Sequence, residues 1–130
     1  MALKISLKTN EKVIIGGAVI RNGKSRSDLF IENDVPVLRE KDILSEKDAD
    51  TLGKRIYFTI QLMYIDNSNL KLYHEKYWEF VKNFVDAAPS SLGLIDQINE
   101  NILCNKYYQA LKLTRELIEY EKEIINHVRN

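Results

Sequence analysis

A single cysteine, Cys104, among 130 residues leaves the chain without a disulfide framework or a cysteine-rich metal site. A reducing compartment suits such a chain. No apolar run approaches the length that spans a bilayer. The opening MALKISLKTNEK alternates and carries charges where a secretory signal needs an unbroken apolar core. These absences predict a soluble, cytoplasmic protein. Net charge is missing too: 19 Lys and Arg balance 19 Asp and Glu, so no global field draws the molecule to nucleic acid or membrane. Any polyanion site must be local.

Signatures of catalysis are equally scarce. His74 and His127 lie in helical stretches without a second ligand three or four residues on, so they read as exposed or edge histidines rather than zinc ligands. Ser90 and Ser91 lack the glycine-flanked elbow of a nucleophile and read as helix punctuation. Gly16 and Gly17 lack the lysine spacing of a phosphate loop. No enzyme, metal or cofactor is expected.

Backbone patterning is plentiful. LKISL puts Leu3, Ile5 and Leu7 on one face, the period of a half-buried strand. KVIIGGAVIRNG is β-branched and interrupted by two glycines, which predicts a strand with a bulge or a close backbone approach. Asn22–Gly23 predicts the hairpin turn, since both residues accept positive φ. DLFIEN reads as a third strand and Val37–Leu38, after Pro36, as a fourth, together an antiparallel meander. From Ser45 the period becomes helical. SEKD resembles a capping box, and Thr51 is placed to cap a buried helix through RIYFTIQLMYI. Leu70 to Ala88 carry a clear apolar stripe, Leu92, Ile95, Ile98, Ile102 and Leu103 a narrower one, and KYYQALKLTRELIEYEKEIINHV a broad one. The fold class is therefore α+β: a small antiparallel β module over residues 1–44, then a bundle of three to four helices over residues 45–130.

Basic residues exceed acidic ones ahead of position 42, and the last third leans acidic. Arg21, Lys24 and Arg26 flank or occupy the expected hairpin tip, and Arg39 and Lys41 follow the last strand. Such a set can grip phosphates and set a guanidinium against the bases of a single-stranded RNA loop. The plainer alternative is a solvated rim in which Arg39 and Lys41 pair with Glu40 and Asp42, and composition alone favours it. The aromatics from 57 to 84 fall at core spacing. Trp78 lies off the stripe and stands as a candidate contact for a protein partner, with Tyr107 and Tyr120 on the last helix. Open sheet edges also predict self-association into a homo-oligomer.

LKISLKTNEKVIIGGAVIRNG, VPVLREKDIL, KRIYFTIQLMYID and KYYQALKLTRELIEYE occur in this order and spacing in the FlbT family of bacterial flagellar regulators, which the chain resembles over nearly its whole length. The resemblance implies post-transcriptional control of flagellin, typically repression through the flagellin mRNA leader, with a FlaF-type protein and flagellin as further partners. One departure is Leu52, where family members often carry proline after the capping threonine. NEKVIIGG and VLREKDI are also similar to strand phrases of the CsrA translational regulators, a likeness that implies an RNA contact for Arg39.

Overall fold

The computed structural model describes residues 2–129, which form five strands and four α-helices. The strands are β1 (Leu3–Leu7), β2 (Lys12–Ile15), β3 (Ala18–Arg21), β4 (Ser27–Ile31) and β5 (Val37–Arg39). The helices are α1 (Leu52–Ile65), α2 (Leu70–Ala87), α3 (Leu92–Leu103) and α4 (Tyr107–Arg129). The chain divides into two compact units between Ile43 and Leu44.

The first unit is α+β's β half, but not the expected meander. β1 pairs antiparallel with β4, and a second sheet has the order β3-β2-β5. KVIIGGAVIR is two strands, with the hairpin at Gly16 (φ +57) and Gly17 (φ +86) rather than at Asn22–Gly23. Two consecutive positive φ angles make the tight turn whose twist matches its strands. The glycine pair wins because it is flanked by KVII and AVIR, which pair residue for residue, whereas Asn22–Gly23 is followed by polar KSRS. Asn22 instead prolongs the β2–β3 ladder, its N–H donating to the Glu11 carbonyl (2.8 Å). Its side-chain amide donates to the carbonyls of Lys8 (2.8 Å) and Ser25 (3.0 Å). Ile5, Leu7 and Val13 form one buried cluster, with Ile15, Leu29, Ile31 and Val37 packed around it, and Ile14 and Leu38 are buried as well.

In the second unit Thr51 caps α1, accepting the Lys54 N–H at 3.2 Å. α1 is buried on most sides, as its composition predicted, through Ile56, Tyr57, Ile60 and Met63. Its buried Gln61 is satisfied by the Leu44 backbone, accepting from N–H at 2.8 Å and donating to C=O at 2.9 Å. α1 packs on α2 and α4, and α3 packs on α4. Gly53 lets α4 close on α1: a Cβ there would lie 2.8 Å from Glu121 Oε1, and the Gly53 N–H donates to Glu121 Oε2 at 3.0 Å. SEKD makes only a 3₁₀ turn, Glu46–Asp48, with the Ser45 hydroxyl on Asp48 rather than on a backbone N–H. Leu92 and Leu103, expected in the α3 stripe, are exposed, and the buried face is Ile95, Ile98 and Ile102. Asn105, at φ +58, separates α3 from α4.

Candidate functional site

The turn from β1 to β2, Lys8 to Glu11, gathers the basic segments of the first unit. Asn10 takes φ +61 and the Glu11 N–H closes on the Lys8 carbonyl (3.1 Å). On one flank the Asn10 N–H donates to the Gly23 carbonyl (3.0 Å) and the Thr9 hydroxyl to the Lys24 carbonyl (2.8 Å). Arg21 Nη1 donates to Asn10 Oδ1 (3.3 Å). On the other flank lies the end of β5. There Lys8, Thr9, Glu11, Arg39, Glu40 and Lys41 line an open cavity of about 470 Å³.

Arg39 does more than face solvent. Its Nη2 donates to the Ser6 carbonyl in β1 (2.6 Å) and pairs with Glu11 Oε2 (3.2 Å), tying the edge of one sheet to the other. Glu11 Oε1 accepts the Lys8 N–H (2.9 Å). That backbone bond, opposed by desolvation and helped by Arg39, holds the Glu11 carboxyl below its ordinary range. Glu40 accepts the Lys12 N–H (3.2 Å), and Asp42 is buried. The carboxylate paired with Arg39 is therefore Glu11, not the neighbouring Glu40 that a solvated rim would use.

Both carboxylates of the cavity thus accept inward-facing donors, and Lys8 adds only a Coulombic attraction to Glu11. Neither the Lys8 nor the Lys41 ammonium forms an ion pair among the described residues. The Arg39 side chain keeps 38% exposure against 14% for Glu11, so part of its guanidinium still borders the cavity. A cavity lined by two lysines, a hydroxyl and a braced guanidinium suits a phosphodiester better than an apolar ligand. The geometry joins Arg39 and Lys41, places Arg21 and Lys24 across the same turn, and leaves Arg26 nearer β4, in the field of Asp28. Lys8 and Thr9 were not singled out from sequence. The signal for them was a turn starting at Lys8, one residue beyond the last apolar position of β1.

In the second unit the three aromatic candidates do not share one patch. Trp78 is half exposed on α2, edge-on to Tyr77 with ring centroids 5.4 Å apart. Tyr107 is half-buried, its hydroxyl on Asn105 Oδ1 (3.4 Å) and its pKa pushed up by burial. Tyr120, half-buried and bonded to Ser90 Oγ, lies about 20 Å further along α4. Instead, half-buried Phe58 and Leu62 of α1 and Tyr73 and Phe80 of α2 line a groove of about 280 Å³ with Arg55 and Lys76 at its rim. Tyr57, Tyr77 and Phe84 are core, as their spacing predicted. Among the described residues no His, Cys, Asp and Glu side chains gather as metal ligands, and no helix is long and apolar enough to cross a membrane.

The family model for the flagellar protein FlbT matches residues 3–125. The probable flagellum biosynthesis repressor protein FlbT 1 of Bradyrhizobium diazoefficiens is 44% identical over 95% of this chain and 85% of its own. The probable repressor FlbT of Rhodopseudomonas palustris is 39% identical, covering 97% of this chain and 99% of its own. The flagellum biosynthesis repressor protein FlbT of Caulobacter vibrioides is 38% identical, covering 98% and 92%. No solved structure matches the chain.

Proposed function

The chain belongs to the FlbT family of flagellar proteins, and on that premise we propose that it represses flagellum biosynthesis by holding the flagellin mRNA leader on its β module. The observation that carries this reading is the cavity beside the β1–β2 turn, where among the described residues Lys8 and Lys41 form no ion pair while Glu11 and Glu40 accept backbone and Arg39 donors. Lys8 and Lys41 neutralise phosphates, with Lys24 and Arg21 continuing the contact across the turn. Arg39 positions the surface and offers its remaining N–H groups to the strand. The protein acts by occupancy, without catalysing a reaction.

Full-length protein titrated with the leader and with a scrambled RNA over a salt series tests this. The leader should bind more tightly, and log affinity should fall linearly with log salt. Lys8→Ala and Lys41→Ala together should flatten that slope by about 1.4, since each single-strand phosphate contact contributes about 0.7. Equal binding of both RNAs, or an unchanged slope, refutes the reading.

The groove between α1 and α2 favours a second reading, in which the helical unit docks a protein such as flagellin or a FlaF-type partner and affects the message indirectly. Its half-buried Phe58, Leu62 and Phe80 are what a partner's apolar side chains would cover. Under that reading Phe80→Glu abolishes co-purification of the partner and leaves RNA binding intact.

A further inference from the structure

The outward face of the β1–β4 ladder carries an aromatic ring among cations. Successive residues of a strand face opposite sides. Leu29 and Ile31 of β4 pack against Ile5, Leu7 and Val13, so Phe30 is turned away from that cluster, and it is 62% exposed. The ladder sets Phe30 opposite Lys4 and Asp28 opposite Ser6. Because the Ser6 carbonyl leaves the ladder for Arg39, these are the non-hydrogen-bonded pairs, in which facing side chains come closest. The Lys4 ammonium lies 6.0 Å from the Phe30 ring centroid, at the outer limit of attraction to a π face, and borders the ring without covering it.

The charges of this face fit a polyanion. Within the ladder the one carboxylate is Asp28, which already accepts the Ser6 hydroxyl (2.7 Å) and pairs with Lys4 (3.8 Å). Lys8 and Arg26 follow at the end where Leu7 faces Ser27, and Glu32 lies past the other end, which bounds an anion's path at Phe30. Lys8 also lines the cavity beside the β1–β2 turn. Four residues of extended chain, about 13 Å, separate it from Lys4.

We infer that the RNA strand held in that cavity continues across the β1–β4 face, with a base stacked on the Phe30 ring and Lys4 on the adjoining phosphate. This rests on the RNA reading above and gives the strand its course and a stacking platform. An aromatic ring beside a cationic track is how proteins hold single strands with little regard to sequence. A duplex keeps its bases stacked on one another and offers none to Phe30, so the face selects unpaired RNA. An apolar protein surface would meet a single ring ringed by ammonium, guanidinium and hydroxyl groups; a nucleotide uses both kinds of group.

Binding of the full-length protein to the flagellin leader RNA tests the assignment. Phe30→Ala should weaken binding about tenfold, the loss of one stacked base. The slope of log affinity against log salt should not change, since a phenyl ring releases no counterions. Phe30→Leu keeps apolar bulk without a π face and should lose as much. Lys4→Ala should flatten the slope by about 0.7. Phe30→Trp should keep the affinity and add an emission that RNA quenches, read against the wild type, whose one indole is Trp78 on α2. Wild-type affinity in Phe30→Ala, recovery by Phe30→Leu, or an unquenched Phe30→Trp emission overturns this inference and leaves the cavity reading in place. A wild-type protein that binds no RNA overturns both.

Discussion

Arg39→Ala is the most discriminating single change, because the structure gives this side chain two tasks that the substitution separates. Removing it deletes the Nη2 bonds to the Ser6 carbonyl (2.6 Å) and to Glu11 (3.2 Å), and with them the brace from β5 to β1. A hydrogen bond from a charged donor contributes about 1.5–3 kcal/mol. The 38% exposure of Arg39 argues for the low end, since solvent screens the pair and can reach the freed carbonyl. The expected cost is about 2 kcal/mol, which for a chain of this length lowers Tm by roughly 6 °C. Arg39→Lys keeps the charge but presents a single ammonium in place of the fork, and should recover only part of that loss. Lys41→Ala, by contrast, breaks no bond among the described residues and should leave Tm unchanged while weakening RNA binding. Thermal melts by circular dichroism, run beside anisotropy titrations with leader RNA, read both effects. If Arg39→Ala melts with wild type and loses RNA binding, Arg39 is a contact residue alone and the bracing argument is wrong.

Two further perturbations probe the scaffold. Gly53→Ala should be neutral or destabilising by up to about 1 kcal/mol, because a helix-propensity gain of about 1 kcal/mol meets loss of the Glu121 carboxylate from the α1 N-terminus. In a Glu121→Ala background the cost should shrink to what the Ile118 Cγ1 contact at 3.3 Å imposes, and a denaturant double-mutant cycle without coupling refutes the Glu121 contact. Asp66 is held at a pKa of about 2, first by the Ser68 hydroxyl, then by the Tyr73 hydroxyl and the Ser68 N–H. A depressed carboxyl stabilises the fold fully above its ordinary value of 3.8 and loses that contribution as pH falls toward about 2. A carbon-detected titration should place its midpoint there. A midpoint at the ordinary carboxylate value would mean the cluster does not form.

Much of the architecture could be read from the residues alone. Though Leu3 at its start is exposed, the strand at LKISL appears as expected, with the stripe of α2 and the Thr51 cap. So does the order of a β module before a helical bundle. These features are local: side-chain period, cap chemistry and positive φ depend on a few successive residues. Tertiary structure decided the rest. Both Gly16–Gly17 and Asn22–Gly23 can turn the chain, and only the partner strands available on each side chose between them. The pairing of β1 with β4 and the insertion of β2 between β3 and β5 replaced the meander for the same reason. Leu92 and Leu103 turned outward because three isoleucines already filled the face of α3. The charges of VLREKD could be counted in sequence, but not which of them are spent. Arg39 finds Ser6 and Glu11 across 33 and 28 residues, and that through-space meeting leaves Lys8 and Lys41 beside it without an ion pair among the described residues. A charge's availability depends on what it touches, and contacts at such separations exist only once the chain has folded.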